Sequence, residues 1–557
     1  MPRDITDKIG IALAQLNPVA GDVNGNGERV REARRVAAGQ GADLLVFSEL
    51  FISGYPPEDL ILKPAFREAA RVCIEELAKE TGDDGPALLI GTPWEEDGLV
   101  YNAVVLLDGG EVAGVRTKAV LPNYGVFDEK RVFEAGPMPG PVNFRGIRIG
   151  VPICEDIWSE EVCECLVETG AEMLIVPNGS PYFSGKMDVR MNIAAARVAE
   201  NSVPLIYVNQ VGGQDELVFD GASFALNGNS ELCAQLPDWE EKIALTKWQR
   251  VDGAWRCEPN DLSSVEEGEG ADYLACVTGL RDYVTKNGFP GVVLGLSGGV
   301  DSAICAAISV DALGPEKVHC VMLPYSYTSD ESLKDAAACA QGLGVRYDTL
   351  PIHKPVEGFN ESLQPLFEGL PPDTTEENIQ SRARGTILMA ISNKFGAMVV
   401  TTGNKSEVSV GYATLYGDMN GGFNPIKDLY KTQVYALSRW RNANVPRGVL
   451  GPKGIVIPDN ILTKAPSAEL KENQTDQDSL PAYDVLDDIL TCLVENEMPI
   501  SQIVARGHDK KVVSEIQRLL YLAEYKRRQS APGVKITQKL FGRDRRYPIT
   551  NRFRETI

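Results

Sequence analysis

The chain has 557 residues, more than one ordinary core needs, so we expect two domains of a few hundred residues. Hydrophobic residues make up 43% and charged residues 24%, as in soluble globular proteins. The 55 basic and 78 acidic residues give a net charge of −23, which argues against nucleic-acid or membrane partners. The sequence has no long apolar run and no apolar signal region, so we expect a cytoplasmic protein.

The first half of the chain alternates short apolar runs with amphipathic segments, which predicts an α/β domain. Amphipathic helices are predicted over residues 26–40 and 187–201. The strand candidates are residues 44–47, 103–107, 148–153, 173–177 and 205–210.

A polar, acidic stretch without apolar periodicity covers residues 258–270 and indicates a linker. It separates a predicted first domain, residues 1–257, from a second one, residues 271–557. The second domain shows the same α/β alternation. Its strand candidates are residues 292–296, 317–324, 345–352 and 397–403.

A glycine-containing loop follows the strand candidate at 292–296 and precedes a predicted helix. Glycines let the main chain approach a ligand closely, and a helix N-terminus favours an anion. Two serine hydroxyls in the loop can donate to phosphate oxygens. An aspartate beside phosphates requires a cation, so we assign Asp301 to Mg²⁺. The loop consists of Ser297, Gly298, Gly299, Val300, Asp301 and Ser302.

This loop resembles the pyrophosphate loop of the ATP pyrophosphatase group, which implies a Rossmann-like parallel sheet and cleavage of ATP to AMP and pyrophosphate. Residues 376–393 and 399–435 resemble the NAD synthetase family, which narrows the adenylated acceptor to deamido-NAD. The resemblance implies that Thr402 joins the loop in binding ATP and that Glu407 helps Asp301 hold Mg²⁺. It also implies a set of deamido-NAD contacts, namely Asn378, Glu407 and Lys526.

The last 32 residues, 526–557, are strongly basic within an acidic protein. By themselves they fit either a solvated surface segment or a contact for a phosphorylated ligand. The match of Lys526 to a dinucleotide-binding lysine favours the ligand contact.

One thiol in the first domain is a candidate nucleophile. Cys154 ends an apolar run and precedes Glu155 and Asp156. The first 318 residues contain no histidine, so a Cys–His pair within this domain is excluded. A carboxylate and a lysine remain as base and charge partner. Glu49 lies just after a predicted strand and Lys118 precedes a Leu-Pro turn; α/β sheets usually place their sites at strand ends and in the adjoining turns.

The type and spacing of Glu49, Lys118 and Cys154 resemble the Glu–Lys–Cys triad of the nitrilase, or carbon–nitrogen hydrolase, family. That resemblance implies a four-layer α-β-β-α sandwich. We expect Glu49 to take the thiol proton and later to activate water. We expect Lys118 to lower the thiol pKa and to stabilise the oxyanion.

Three further residues match the glutaminase branch of that family and are implied glutamine contacts: Tyr124, Ser180 and Lys186. Asp128 and Glu129 fit either a supporting acidic pair or a surface position. The role of the two carboxylates after Cys154 stays open.

The two resemblances together cover nearly the whole chain and imply one combined reaction. The first domain releases ammonia from glutamine, and the second adenylates deamido-NAD and amidates it to NAD, with an internal ammonia channel between the sites. They also imply a homo-oligomer built on a dimer of the second domain, with an octamer as a larger form. The alternatives are an amidotransferase with another acceptor and a binding or regulatory protein with decayed sites.

Overall fold

The computed structural model describes residues 7–472 and 474–555. The chain forms two compact units. The first comprises residues up to Gln214 together with Val218–Glu266, and the second comprises Asp215–Leu217 together with residues from Glu267 onwards. Among the described residues, no helix is long and apolar enough to cross a membrane.

The first unit is built on two mixed sheets. The strands are β1 (Lys8–Gln15), β2 (Leu44–Val46), β3 (Ala87–Glu96), β4 (Leu99–Asp108), β5 (Glu111–Thr117), β6 (Val142–Phe144), β7 (Ile147–Gly150), β8 (Met173–Asn178), β9 (Leu205–Asn209), β10 (Val211–Gln214), β11 (Leu217–Asp220), β12 (Phe224–Leu226), β13 (Leu232–Gln235), β14 (Lys242–Val251) and β15 (Ala254–Cys257). One sheet has the order β15-β14-β1-β2-β3-β4-β5, the other β13-β12-β9-β8-β7-β6, and β10 pairs with β11.

Side-chain alternation in β1 explains how the sheets pack. β1 pairs in parallel with β2 and antiparallel with β14, and it is buried on both faces. Ile11 and Leu13 join the core between the two sheets, whereas Ala12 and Ala14 join the core beneath two helices. Because successive side chains of a strand point to opposite faces, one strand serves both layers.

Four helices complete the first unit. They are α1 (Val23–Gln40), α2 (Pro64–Glu80), α3 (Glu160–Glu168) and α4 (Lys186–Asn201). The first two pack on the seven-stranded sheet, and the last two on the six-stranded sheet. The predicted four-layer α-β-β-α sandwich is confirmed.

The second unit contains a parallel sheet of four strands, β16 (Val292–Gly295), β17 (Val318–Met322), β18 (Arg346–Thr349) and β19 (Met398–Val399), in the order β18-β17-β16-β19. All four strands end earlier than predicted. Two of them end ahead of Pro324 and Pro351, since proline cannot donate to a sheet ladder. The predicted Rossmann-like class is confirmed.

The second unit has an apolar cluster between this sheet and its helices. A separate apolar cluster lies among helices of the same unit. The first of them begins at Gly268, inside the segment predicted to be a linker, because the helical turn starts ahead of the apolar residues that it buries. The helices are α5 (Gly268–Lys286), α6 (Val300–Leu313), α7 (Asp330–Leu343), α8 (His353–Phe367), α9 (Thr374–Phe395), α10 (Lys405–Val410), α11 (Lys431–Ala443), α12 (Asp459–Thr463), α13 (Tyr483–Val494), α14 (Ile500–Ala505), α15 (Lys510–Leu522) and α16 (Glu524–Arg527).

The close approach of β3 to the turn after β2 gives a first prediction. A Cβ atom added at Gly91 would lie 2.2 Å from the main-chain nitrogen of Leu50 and 2.7 Å from the carbonyl carbon of Glu49. Because main-chain atoms cannot rotate away, we expect Gly91→Ala to lower the free energy of unfolding by about 1–3 kcal/mol. Calorimetric unfolding measures the loss. Gly39→Ala in α1 is the control, since its Cβ would meet nothing within 4 Å and alanine favours the helix.

Candidate active sites

The three predicted triad residues all follow strands of the first unit. Glu49 follows β2, Lys118 directly follows β5, and Cys154 follows β7 and opens a short 3₁₀ helix, Cys154–Trp158. Glu49 and Lys118 are fully buried, and Cys154 is nearly so. The turns that follow these strands bring residues more than 100 positions apart in sequence into one cluster.

Lys118 lies between two carboxylates. Its Nζ donates to Glu49 Oε1 at 2.6 Å and to the Glu129 oxygens at 2.9 and 3.0 Å. Burial lowers the pKa of Lys118, but the charges of Glu129 and Glu49 outweigh it and hold the pKa above its usual value. Lys118 is therefore a fixed cation. Glu129, which the sequence left between a supporting and a surface position, is buried and supports Lys118.

The second oxygen of Glu49 accepts a main-chain hydrogen bond, and Glu49 also influences the thiol of Cys154. The Gly179 N–H donates to Glu49 Oε2 at 2.9 Å. Burial raises the pKa of Cys154, Glu49 raises it further, and Lys118 lowers it. A base is therefore required, because the thiol does not ionise by itself at neutral pH.

The backbone at Cys154 has a φ of 45°, which a side-chain-bearing residue seldom adopts. Strained residues of this kind cluster at active sites, where the surrounding structure holds them. Asp156 supplies part of that hold. It accepts from the main-chain N–H groups of Ile153 at 2.9 Å, Ala119 at 3.0 Å and Val120 at 2.7 Å. The sequence left the role of Asp156 open. Its bonds show that it connects the turn that carries Cys154 to the turn that carries Lys118.

The predicted glutamine contacts lie in two local networks. Tyr124, whose side chain is 55% exposed, donates to Glu155 Oε1 at 2.9 Å, which places Glu155 beside a predicted substrate contact. Ser180 is buried, and Arg190 donates to its hydroxyl at 3.1 Å and its carbonyl at 2.7 Å. Arg190 is itself paired with buried Asp220 at 2.7 Å.

Lys186, the third predicted glutamine contact, is the first residue of α4. Its Nζ lies 4.4 Å from the ring centroid of Trp158 and 4.9 Å from that of Phe183, so both rings contact the cation. Burial, with a smaller effect of Arg190, lowers the pKa of Lys186 to about 8. This lysine is a cation that a pH change of one or two units can discharge.

The glycine-containing loop of the second unit, residues 297–302, connects β16 to α6 and is the predicted phosphate loop. The hydroxyls of Ser297 and Ser302 lie 3.1 Å apart, and Ser302 Oγ donates to the Gly299 carbonyl at 3.0 Å. Gly298 has a φ of 82°, and a Cβ there would lie 2.4 Å from the Ser332 carbonyl oxygen. Only glycine fits this conformation, as the sequence pattern requires.

Asp301 and Glu407 converge on one cation. Lys431 Nζ forms an ion pair with Asp301 Oδ2 and lies 3.1 Å from Glu407 Oε1. Asn404 Nδ2 donates to the other oxygen of Asp301 at 2.8 Å. Two converging carboxylates fit Mg²⁺, which proteins usually bind through one or two carboxylates, phosphate oxygens and water. No group of three or more candidate metal-binding side chains occurs among the residues that the structure describes.

Of the remaining predicted nucleotide contacts, Asn378 and Lys526 bond to the same short segment, whereas Thr402 lies in a different turn. Asn378 Oδ1 accepts from the Thr414 hydroxyl at 2.8 Å, and Lys526 Nζ donates to the carbonyls of Gly411 at 2.8 Å and Ala413 at 2.7 Å. Both side chains thus contact residues 411–414. Thr402 is half-buried in the turn after β19.

The basic tail is more strongly paired than its sequence indicates. Arg527 and Arg545 both contact buried Glu524, at 2.7 and 3.5 Å. Lys535 pairs with Asp544 at 2.6 Å. These cations hold the fold of the second unit together, whereas Lys526 bonds only main-chain carbonyls among the contacts that the structure gives for its ammonium.

The residues missed by sequence reasoning are single polar residues without a local pattern. Asn102, within β4, donates to both Glu49 and Glu129. Arg190 and Lys431 occupy buried positions in the two sites. An Asn or Arg inside an otherwise apolar segment was the available signal, since such residues are seldom buried without a partner.

Fold and geometry together define a class. The first unit carries a buried thiol, a carboxylate and a lysine, the three groups predicted for an enzyme that hydrolyses carbon–nitrogen bonds. The second carries the loop of enzymes that adenylate a carboxylate. Residues 10–255 match the family model of carbon-nitrogen hydrolase, and residues 273–530 match that of NAD synthase.

The chain belongs to the glutamine-dependent NAD(+) synthetase family. It is 51% identical over 551 residues to the Rhodobacter capsulatus protein of that name, covering 99% of this chain and 100% of that one. It is 42% identical over 583 residues to the Thermotoga maritima protein, covering 99% and 100%. The solved structure of the Acinetobacter baumannii enzyme in complex with ADP is similar, with a TM-score of 0.78, 42% identity and coverage of 98% and 99%.

The phosphate loop gives a second prediction. Gly298→Ala forces an alanine into a left-handed conformation against a main-chain oxygen, so we expect it to lower the free energy of unfolding by about 1–3 kcal/mol. Gly299→Ala is the matched variant, because its Cβ would only touch Ser297 Oγ at 3.5 Å. Calorimetry compares the two. Equal stability of the two variants would contradict the assigned loop geometry.

Proposed function

We propose that this chain makes NAD from deamido-NAD, ATP and glutamine. The observation that carries the proposal is the presence, in one chain, of a buried Glu–Lys–Cys cluster and a phosphate loop with converging carboxylates. Family membership over 99% of the chain supports the same substrates. We assign glutamine hydrolysis to residues 1–257 and NAD synthesis to residues 271–557, joined by residues 258–270.

The first reaction begins at the thiol. Cys154 Sγ attacks the side-chain amide carbon of glutamine while Glu49 takes the S–H proton. Lys118 stabilises the oxyanion that forms. The carbon–nitrogen bond then breaks, and the nitrogen leaves as ammonia with the proton from Glu49.

Water completes this reaction. Glu49 takes one proton from a water molecule whose oxygen attacks the thioester carbon. The carbon–sulfur bond breaks, the proton returns to Sγ, and glutamate leaves. Tyr124, Ser180 and Lys186 would hold the substrate, with the Lys186 ammonium facing its α-carboxylate.

The second reaction consumes the ammonia. A carboxylate oxygen of deamido-NAD attacks the α-phosphorus of ATP, and pyrophosphate leaves. Ammonia then attacks the acyl carbon, the carbon–oxygen bond to AMP breaks, and a proton is lost. The loop residues Ser297, Gly298, Gly299 and Ser302, with Thr402, would bind ATP.

Asp301 and Glu407 would hold Mg²⁺, which supplies positive charge to the phosphate oxygens when bound. Asn378, Glu407 and Lys526 would bind deamido-NAD. The chemistry requires ammonia to pass from the first site to the second. We also propose a homo-oligomer built on a dimer of the second domain.

The direct test supplies the purified protein with ATP, Mg²⁺, glutamine and deamido-NAD and measures NAD by chromatography. Formation of NAD, AMP and pyrophosphate in equal amounts is the expected result. Glutamine hydrolysis and ATP cleavage without NAD would reject deamido-NAD and indicate another acceptor.

A third prediction separates the two reactions. Cys154→Ala removes the nucleophile, so we expect at least a 1,000-fold loss of glutamine-supported synthesis, on the order of what nucleophile removal costs other hydrolases. Synthesis from added ammonium should continue. Asp301→Ala is the complementary variant and should abolish synthesis from both donors. Loss of both activities in a folded Cys154→Ala protein would contradict the assignment.

A fourth prediction concerns pH. Because burial lowers the pKa of Lys186 to about 8, the cation is lost as pH rises through that value. We therefore expect kcat/KM for glutamine to fall between pH 7 and 9 while kcat/KM for ammonium does not fall with it. Lys186→Arg keeps its charge over this range and should flatten the decline. An unchanged pH profile in that variant would reject Lys186 as a substrate contact.

A further inference from the structure

One neutral side chain contacts both carboxylates that surround Lys118. Asn102 lies within β4 and is fully buried. Its Nδ2 donates to Glu49 Oε1 at 2.7 Å and to Glu129 Oε2 at 3.3 Å. Its main-chain carbonyl accepts from the N–H of Lys118 at 2.8 Å.

The bonds of Glu49 distinguish its two oxygens. Oε1 accepts from both Lys118 Nζ and Asn102 Nδ2, at 2.6 and 2.7 Å, which uses both of its lone-pair positions. Oε2 accepts from the Gly179 N–H at 2.9 Å and keeps one position. Oε2 is therefore the Glu49 oxygen that keeps room for a further proton.

We propose that Asn102 is a positioning residue that occupies Glu49 Oε1 and so makes Oε2 the atom that takes the Cys154 proton. The proposal rests on the glutamine hydrolysis proposed above. Without Asn102, the carboxylate is held by Lys118 alone on that side and can rotate, and both oxygens compete for the proton.

The side-chain oxygen of Asn102 makes no hydrogen bond within the described part of the chain, and this supports a role for the N–H group of the same amide. Asn102 Oδ1 is buried and has no hydrogen-bond partner among the residues that the structure describes. Burying an unpaired oxygen is unfavourable, and an apolar side chain of similar size would avoid it. The amide is therefore useful for its N–H group, which lies between two carboxylates.

The chemistry also explains why an acid cannot substitute for the amide. Asn102→Asp would replace a donor with an acceptor and place a third carboxylate beside Glu49 and Glu129. Like charges raise carboxyl pKa values, so Glu49 would hold a proton at higher pH and would fail as a base.

The test uses the full-length enzyme and the variants Asn102→Asp and Asn102→Ala. The measurements are kcat/KM for glutamine against pH, the pH dependence of Cys154 alkylation by iodoacetamide followed on its peptide, and ammonium-supported NAD synthesis. Asn26→Ala is the matched control. Asn26 is buried, and among the residues that the structure describes its side chain bonds only main-chain groups of Val19 and Ile52.

We expect both Asn102 variants to lose about tenfold or more in glutamine hydrolysis, a fraction of the 10²–10⁴ that general-base catalysis contributes. In Asn102→Asp the acid limb of both pH profiles should move upward by about one pH unit or more. Ammonium-supported synthesis should continue, and Asn26→Ala should keep the wild-type profiles.

Wild-type pH profiles in Asn102→Asp, or equal losses in Asn102→Ala and Asn26→Ala, would overturn the proposal. If Asn102→Asp does not fold, Asn102→Ala decides, because it adds no charge: an unchanged rate of Cys154 alkylation there rejects the role. A wild-type enzyme that hydrolyses no glutamine would instead reject the proposed function, which keeps the two failures distinct.

Discussion

The first unit depends on one buried cation. Lys118 has no exposed side-chain surface, and it is compensated by Glu49 and Glu129. Removing one partner of a buried ion pair costs about 3–5 kcal/mol, because the other charge is left without compensation. The cluster is therefore both a structural requirement and the source of the site's chemistry.

The balance of charge in that cluster decides which of the two carboxylates is the more easily protonated. Two carboxylates and one ammonium leave one negative charge in excess, so one carboxylate is pushed towards its neutral form. Burial raises the pKa of Glu129, although Lys118 opposes this. Glu129 is thus the carboxylate whose protonation is favoured, and the Tyr55 hydroxyl, which donates to it at 2.9 Å, opposes this by stabilising the charged form. Glu49 remains the carboxylate beside the thiol.

The second unit also places a lysine between two carboxylates, but it fixes that lysine through the main chain. The N–H of Lys431 donates to Ser406 Oγ at 2.8 Å, and Asp487 accepts from the N–H of Thr432 at 2.9 Å. The start of α11 is thereby anchored. The position of the cation relative to Asp301 follows from this anchor as much as from its own ion pairs.

Sequence reasoning reached the α/β class because that class follows from periodicity, whereas the four-layer sandwich and the Rossmann-like sheet came from the family resemblances. Glu49 and the phosphate loop are local signals, since each follows a predicted strand, and Lys118 was found through its match to the triad. Glu129 stayed ambiguous, because burial of one acid among several is decided by tertiary packing. Asn102 was missed, since an Asn in an apolar strand indicates only that it has a partner, and its partners lie 53 and 27 positions away in sequence.

The bonds of Asp156 have a consequence for the energy of each reaction cycle. They join residues 36 and 37 positions apart, so the turn that carries the thiol and the turn that carries the ammonium behave as one rigid body. Restricting two independent turns during every cycle would cost conformational entropy each time. Here that entropy is lost once, when the chain folds, and each new substrate meets groups that are already aligned.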